Sequence, residues 1–308
     1  MLKLDEIQKR LLMEVADLHK VPEGAYNIRS NSQSAGRAST SNITIDPRED
    51  GQGLTIHIQP GTKNESVHIP VVMTKSGLKE LVYNDFYIGE QADVTIVAGC
   101  GIDNCGPQDS EHDGIHRFYV GKGAKVRYVE KHYGSGNGTG KRILNPGTEV
   151  YMEEDSTMEM EMVQIKGVDD TNRTTTAELA KGAKLVVRER LMTHGEQNAV
   201  STYLVRMNGE GASADVVSRS VARDTSYQKF DAKLIGNAAC SGHTECDSII
   251  MDQGKILAVP GLEANHVDAA LVHEAAIGKI AGDQIIKLMT LGLSEQEAEE
   301  QIINGFLK

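Results

Sequence analysis

From Ile43 to about Ala281 the chain alternates apolar and polar residues in short runs broken by turn residues, the pattern of half-buried β-strands. Thr55-Ile56-His57-Ile58, Ser66-Val67-His68-Ile69, Val94-Thr95-Ile96-Val97 and Phe118-Tyr119-Val120 are examples. One turn device recurs. Gly121-Lys122-Gly123-Ala124-Lys125-Val126 is matched by Lys181-Gly182-Ala183-Lys184-Leu185 and by Gly209-Glu210-Gly211-Ala212-Ser213-Ala214, and Gln91-Ala92-Asp93-Val94 and Asp155-Ser156-Thr157-Met158 fill the same slot. Positions 91, 123, 155, 182 and 211 step by 32, 32, 27 and 29. A repeat of strands and turns with no helix inside predicts a β-solenoid, in which each coil buries its apolar face only against its neighbours. A β-sandwich is the alternative, but its strands do not require so regular a step.

The two ends change period. Leu4, Ile7, Leu11, Leu12, Val15 and Leu18 fall three to four apart and predict an amphipathic helix over residues 4–19, ended by Pro22 and Gly24. Residues 26–42, rich in Ser, Asn, Gly and Arg, read as a linker or mobile loop. Near the other end, Asp283–Met289 predicts a helix stopped by Gly292, and Ser294-Glu295-Gln296-Glu297 is a capping box that opens another through Ile302 and Ile303. The expected organisation is an N-terminal helix and linker over 1–42, a solenoid core over 43–281 and a small helical region over 282–308.

Composition narrows the function. The chain has 308 residues, 4% aromatics and no Trp, which suits coils packed with small and β-branched residues better than a helical bundle. A net charge of −12 argues against a nucleic-acid scaffold, which needs a basic stripe. No run approaches the length of a transmembrane helix and the N-terminus has no signal-peptide core, so a cytoplasmic protein is expected. Four cysteines do not make a disulfide framework and are expected to be free, catalytic or metal-binding.

Most candidate chemistry lies between Cys240 and Lys279. This stretch holds Cys240, Cys246, His243, His266, His273, Glu245, Asp247, Glu263 and Glu274, the mixed donors of an iron or iron–sulfur site. Cys246 sits on a predicted strand 245–251, and His273 and Glu274 end a predicted strand 267–274, where adjacent residues point to opposite faces. Spacing alone leaves two readings open: a metal site, or a small buried thiol beside a satisfied strand-end histidine. A second cluster, Cys100, Cys105, His112 and His116, has the spacing C-x4-C-x6-H-x3-H and the ligand types of zinc or iron. The run Gly134–Arg142 is not a phosphate loop, because Ser135 and Arg142 stand where a glycine and a Ser or Thr are required, and no ATP binding by this chain is expected.

Over about the last 70 residues the motifs ECDSIIM, VPGLEANHVDAALVHEAAIGKI and LSEQEAEEQIINGF resemble the SufB/SufD family, scaffold subunits of the SUF iron–sulfur cluster assembly system. The Cys-Asp-Ser and His-Glu-Ala motifs are more SufB-like than SufD-like. The resemblance implies a right-handed parallel β-helix and a scaffold, not an enzyme, that dimerises through it. A SufC-like ABC ATPase would dock at the terminal helices, a cysteine desulfurase system would donate sulfur, and apoproteins would accept the product. It further implies iron and a transient iron–sulfur cluster held by Cys246, His273 and Glu274, with Cys100 taking up persulfide sulfur and a tunnel joining it to Cys246. Cys105 would be a second acceptor or ligand. The chain departs from the family at Glu130 and His132, where relatives often have Gln and Trp, and at Val272, where they often have Glu; Glu263 or a partner chain would then compensate. The alternatives are a solenoid adaptor for an ATPase without cluster chemistry, and a hydrolase with zinc on Cys100, Cys105, His112 and His116.

Overall fold

The computed structural model describes residues 4–308. Two long, mainly parallel sheets wind around one another as a β-solenoid. In spatial order the first sheet contains the hairpin Ala25–Ser30/Gln33–Ala38, then strands Lys63–His68, Asp93–Asp103, Lys125–Ser135, Thr157–Lys166, Lys184–Thr193, Ser213–Ala222, Ser241–Ile250 and Ala270–Gly278. The second runs from Ile43–Pro47 and Gly53–Ile58 through Lys79–Ile88, Ser110–Val120, the pair Arg142–Leu144 and Gly147–Met152, Asp170–Leu179, Asn198–Met207 and Tyr227–Gly236 to Lys255–Ala264.

The recurring turn seen in the sequence is the corner of each coil. Gln91, Gly123, Asp155, Gly182 and Gly211 all have φ between 56° and 72°, the left-handed region open to Gly and tolerated by short polar residues. These corners stack through backbone bonds of 2.8–2.9 Å: Gln91 donates to the Lys122 carbonyl, Gly123 to Glu154, Asp155 to Lys181, Gly182 to Glu210 and Gly211 to Ala239. The following residue, Ala92, Ala124, Ser156, Ala183 or Ala212, is wholly buried, because the corner leaves room only for a small side chain. Between corners the inward residues form the continuous core, including Ile96, Phe118, Tyr128, Met160, Val187, Tyr203 and Val216.

Residues 26–42 are not a linker. Asn31 and Ser32 have φ of 48° and 65°, the two successive left-handed residues of a tight hairpin, and the strands on either side pair Ser30 with Gln33 and Tyr26 with Ala38. The run Gly134–Arg142 is also tied down: Gly138 donates to the Asn104 carbonyl and Gly140 to that of Gly106, each at 3.0 Å. The N-terminal helix, Glu6–Ala16, begins with an Asp5/Gln8 capping box. It lies on the outside of the first sheet over Gly99 and Gly101, where a Cβ at Gly99 would come within 2.2 Å of the Val15 carbonyl oxygen. The terminal helices are Gly282–Thr290 and Glu295–Phe306. The second plugs Ile303 and Leu307 against Val221, while the first buries no side chain. No described helix is long and apolar enough to cross a membrane.

Candidate functional site

Parallel pairing in register makes inward side chains line up in files along the solenoid axis. The file through Cys100 continues through His132, Gln164, Leu191 and Ser220 to Ser248. A second file runs from Glu130 through Met162, Glu189 and Ser218 to Cys246. Cys100 and Cys246 are thus five strand steps apart in one sheet, about 24 Å at about 4.8 Å per step.

Cys100 is not in a loop. It lies within strand Asp93–Asp103, faces inward and is 7% exposed; its flanking glycines accommodate the helix outside. His112 and His132 face its thiol. Burial pushes the Cys100 thiol up, but the charge of His112, reinforced by His132, more than offsets this and the thiol lies at about 7. Burial pulls both imidazoles down. His112 is nevertheless raised to about 10 by Cys100 and Glu80, and His132 to about 9 by Glu130 and Cys100. Two imidazoles facing one thiol favour its thiolate form. Glu80 accepts from His112 Nδ1 at 2.9 Å and from Arg29 at 3.1 Å, which fixes the His112 ring and directs Nε2 inward.

A buried polar row leads on from His132. Its Nε2 is 3.6 Å from Glu130, which also accepts from the Tyr128 hydroxyl at 3.0 Å and forms an ion pair with Arg173. Burial opposes ionisation of Glu130, but Arg173 and His132 hold its carboxyl well below the usual range. Arg173 Nε is 3.8 Å from Glu189. Glu189 accepts from Ser201 at 2.6 Å, Tyr203 at 2.9 Å and Ser218 at 2.7 Å, and Ser218 is the in-register neighbour of Cys246. Cys246 is 1% exposed, and its Sγ is 3.6 Å from the Ser248 hydroxyl, which in turn meets Ser220 at 2.9 Å. Burial raises the Cys246 thiol. The row is filled with side chains: the cavity beside Arg173, Glu189 and Ser201 holds about 10 Å³, room for one water at most.

The other candidates separate by face. His273 points inward and its Nδ1 meets the Thr244 hydroxyl at 2.6 Å, two residues from Cys246 on the same face. Glu274 points outward, 3.4 Å from His243. Cys246 and His273 therefore share the interior while Glu274 lies on the outer surface. In the second cluster Cys100 meets His112, but Cys105 is exposed and bonded to Asp103 at 3.2 Å, and His116 bonds Tyr128 at 2.8 Å, with burial lowering it to about 4. Cys240 is buried in the core, and Glu263 is paired on the surface with Lys233 at 2.7 Å. Sequence reasoning missed Glu80, Arg173 and Glu189. A signal existed for His132, which lies 32 residues after Cys100, one repeat step.

The long, mainly parallel solenoid encloses two buried thiols, Cys100 and Cys246, within one sheet. Residues 80–306 match the family described as "SUF system FeS cluster assembly, SufBD core domain", and the chain belongs to the SufB/SufD family. It is 28% identical over 83% of its length to an iron–sulfur cluster assembly SufBD family protein of Methanothermobacter thermautotrophicus (strain Winter). It is 32% identical over 84% of its length to one from Archaeoglobus fulgidus, covering 69% of that protein. It is 26% identical over 72% of its length to the iron–sulfur cluster assembly protein SufB of Bacillus subtilis, covering 47% of that protein. The chain spans 62% and 55% of the lengths of two Methanothermobacter relatives.

Proposed function

We propose that this chain is a scaffold on which iron–sulfur clusters are built. The observation that carries this reading is the buried polar row from Cys100, through His132, Glu130, Arg173 and Glu189, to Ser218, the in-register neighbour of Cys246. Cys100 is the sulfur acceptor: its thiolate attacks the outer sulfur of a donor persulfide, the donor thiolate leaves, and Cys100 carries the persulfide. A thiol reductant then cleaves the Cys100 persulfide, leaving the Cys100 thiol and the reductant's disulfide and releasing sulfide, and Cys246 with His273 offers thiolate and imidazole to iron and to that sulfide. The row is closed in the described state, so transfer requires it to open.

The chain acts as a dimer with an ATPase partner. Strands Lys255–Ala264 and Ala270–Gly278 end both sheets with their outer backbone edges uncovered, and Leu257, Leu262, Val272 and Ile277 are exposed on them. That edge suits a second solenoid end. Helix Gly282–Thr290 and the residue after it expose Ile286, Met289 and Leu291, a face suited to an ATPase subunit whose motion would open the row. The test is anaerobic reconstitution with iron and a persulfide donor. Cys246→Ala is expected to abolish the cluster chromophore, and Cys100→Ala to abolish it with the persulfide donor but not with free sulfide. A Cys246→Ala chain that assembles cluster as well as the wild type refutes the reading.

A further inference from the structure

The outer face of the last two strands of the first sheet carries a donor set unconnected with the buried thiols. Glu245 and Glu274 are paired in register on neighbouring strands, and His243 stands two residues before Glu245 on the same face. One donor atom from each of His243, Glu245 and Glu274 lies within 4.8 Å of the others, and His243 Nε2 is 3.4 Å from the Glu274 carboxylate. Like charges placed directly opposite on neighbouring strands repel. Asp247, two residues further along the same face, adds a third carboxylate. The imidazole is oriented from behind: His243 Nδ1 lies 2.8 Å from Asp215, and Arg188 holds the other Asp215 oxygen. Metal-ligating histidines characteristically give their second nitrogen to a carboxylate in this way, which fixes the ring and leaves the other nitrogen basic.

His243 and Glu245 line a groove of about 720 Å³ together with Asp215, Arg188, Arg219 and Lys308, and Glu274 stands beside them across the strand pair. Metal–ligand bonds of about 2.1 Å need donor atoms about 3.0–3.5 Å apart, so the Glu245 and Glu274 side chains, both on the surface, have only to close inward. One imidazole and two carboxylates suit a divalent first-row ion and leave coordination positions free toward the groove. We propose that His243, Glu245 and Glu274, with Asp215 orienting His243, form a divalent transition-metal site on the outer face of the solenoid, separate from Cys246. Iron(II) as its physiological occupant rests on the cluster-assembly reading; the site itself does not. It would hold iron outside the thiol-bearing interior, on the opposite face of the strand that carries Cys246.

The experiment is an anaerobic cobalt(II) titration of the full chain followed by visible absorption. The expected result is one cobalt per chain with ligand-field bands and no thiolate-to-metal charge transfer, unchanged in Cys246→Ala. His243→Ala and Glu245→Gln abolish the bands, and Asp215→Asn weakens binding by about 10- to 100-fold, while all variants keep the wild-type melting profile. Failure of the wild type to bind one equivalent, or wild-type binding by His243→Ala, overturns the site. So does a thiolate charge-transfer band lost in Cys246→Ala, which would place the metal on the inner face and leave the cluster reading standing. Cobalt bound as expected in a chain that builds no cluster under reconstitution would keep the site and remove the cluster reading.

Discussion

Replacing Arg173 with Met tests whether the buried row is held by charge. Arg173 is 3% exposed, paired with Glu130 and within 3.8 Å of Glu189, which are 2% and 5% exposed. Methionine fills most of the volume and removes the cation, leaving two buried carboxylates facing one another. Breaking a buried pair in this way costs about 3–5 kcal/mol. At about 2 °C per kcal/mol for a chain of this size, melting followed by far-ultraviolet circular dichroism is expected to fall by about 6–10 °C at pH 7.5. The pH dependence gives the sign. In the wild type, the Glu130 pKa is depressed below its unfolded value, so its contribution is present above about pH 4.3 and is lost as pH falls through the folded pKa. In Arg173→Met burial is no longer opposed by that cation and the folded pKa rises, so the penalty grows with pH above about 4.3 and shrinks toward pH 5. The double variant Arg173→Met/Glu130→Gln is expected to recover part of the loss. A single variant melting within about 1 °C of wild type at pH 7.5, or one more destabilised at pH 5 than at pH 7.5, refutes the charge account.

Cys100 is expected to alkylate with a midpoint near pH 7, read by mass spectrometry of its peptide. His112→Asn removes the imidazole with the larger effect on the thiol and is expected to move that midpoint upward; an unchanged midpoint would show that His112 does not set the thiol. Gly99→Val drives a side chain into the Val15 carbonyl and is expected to lift the N-terminal helix, with faster hydrogen exchange over residues 6–16 and a loss of about 1–3 kcal/mol. Ile286→Asp and Leu291→Asp touch no core and are expected to leave stability within about 0.5 kcal/mol of wild type. They are also expected to weaken co-purification with the proposed ATPase partner, and undiminished co-purification would move the docking face elsewhere.

The solenoid was legible because its corners impose a backbone demand that few residues meet, so Gln91, Gly123, Asp155, Gly182 and Gly211 recur where the coil needs them. The hairpin over 25–38 was not, because its strands use Ser, Gly and Arg and take their stability from pairing, not from an apolar stripe. The thiols were visible as residues but their environments were not. Cys100 gains its partners from His112 and His132 on other strands, and only the repeat step relates it to the latter. The implied meeting of Cys246, His273 and Glu274 divides because strand Ala270–Gly278 runs on past Glu274, so the alternation of adjacent residues holds there and sends Glu274 outward.

The stacked corners also limit damage. A single-residue insertion inside a strand exchanges its two faces, and in an ordinary sheet such an error can travel along the chain. Here the next left-handed corner, pinned by bonds to the coils on either side, restores the correct phase within one side of one coil. Length changes can therefore accumulate between corners, as the uneven spacing of 32, 32, 27 and 29 residues records, without disturbing the alignment of distant interior positions.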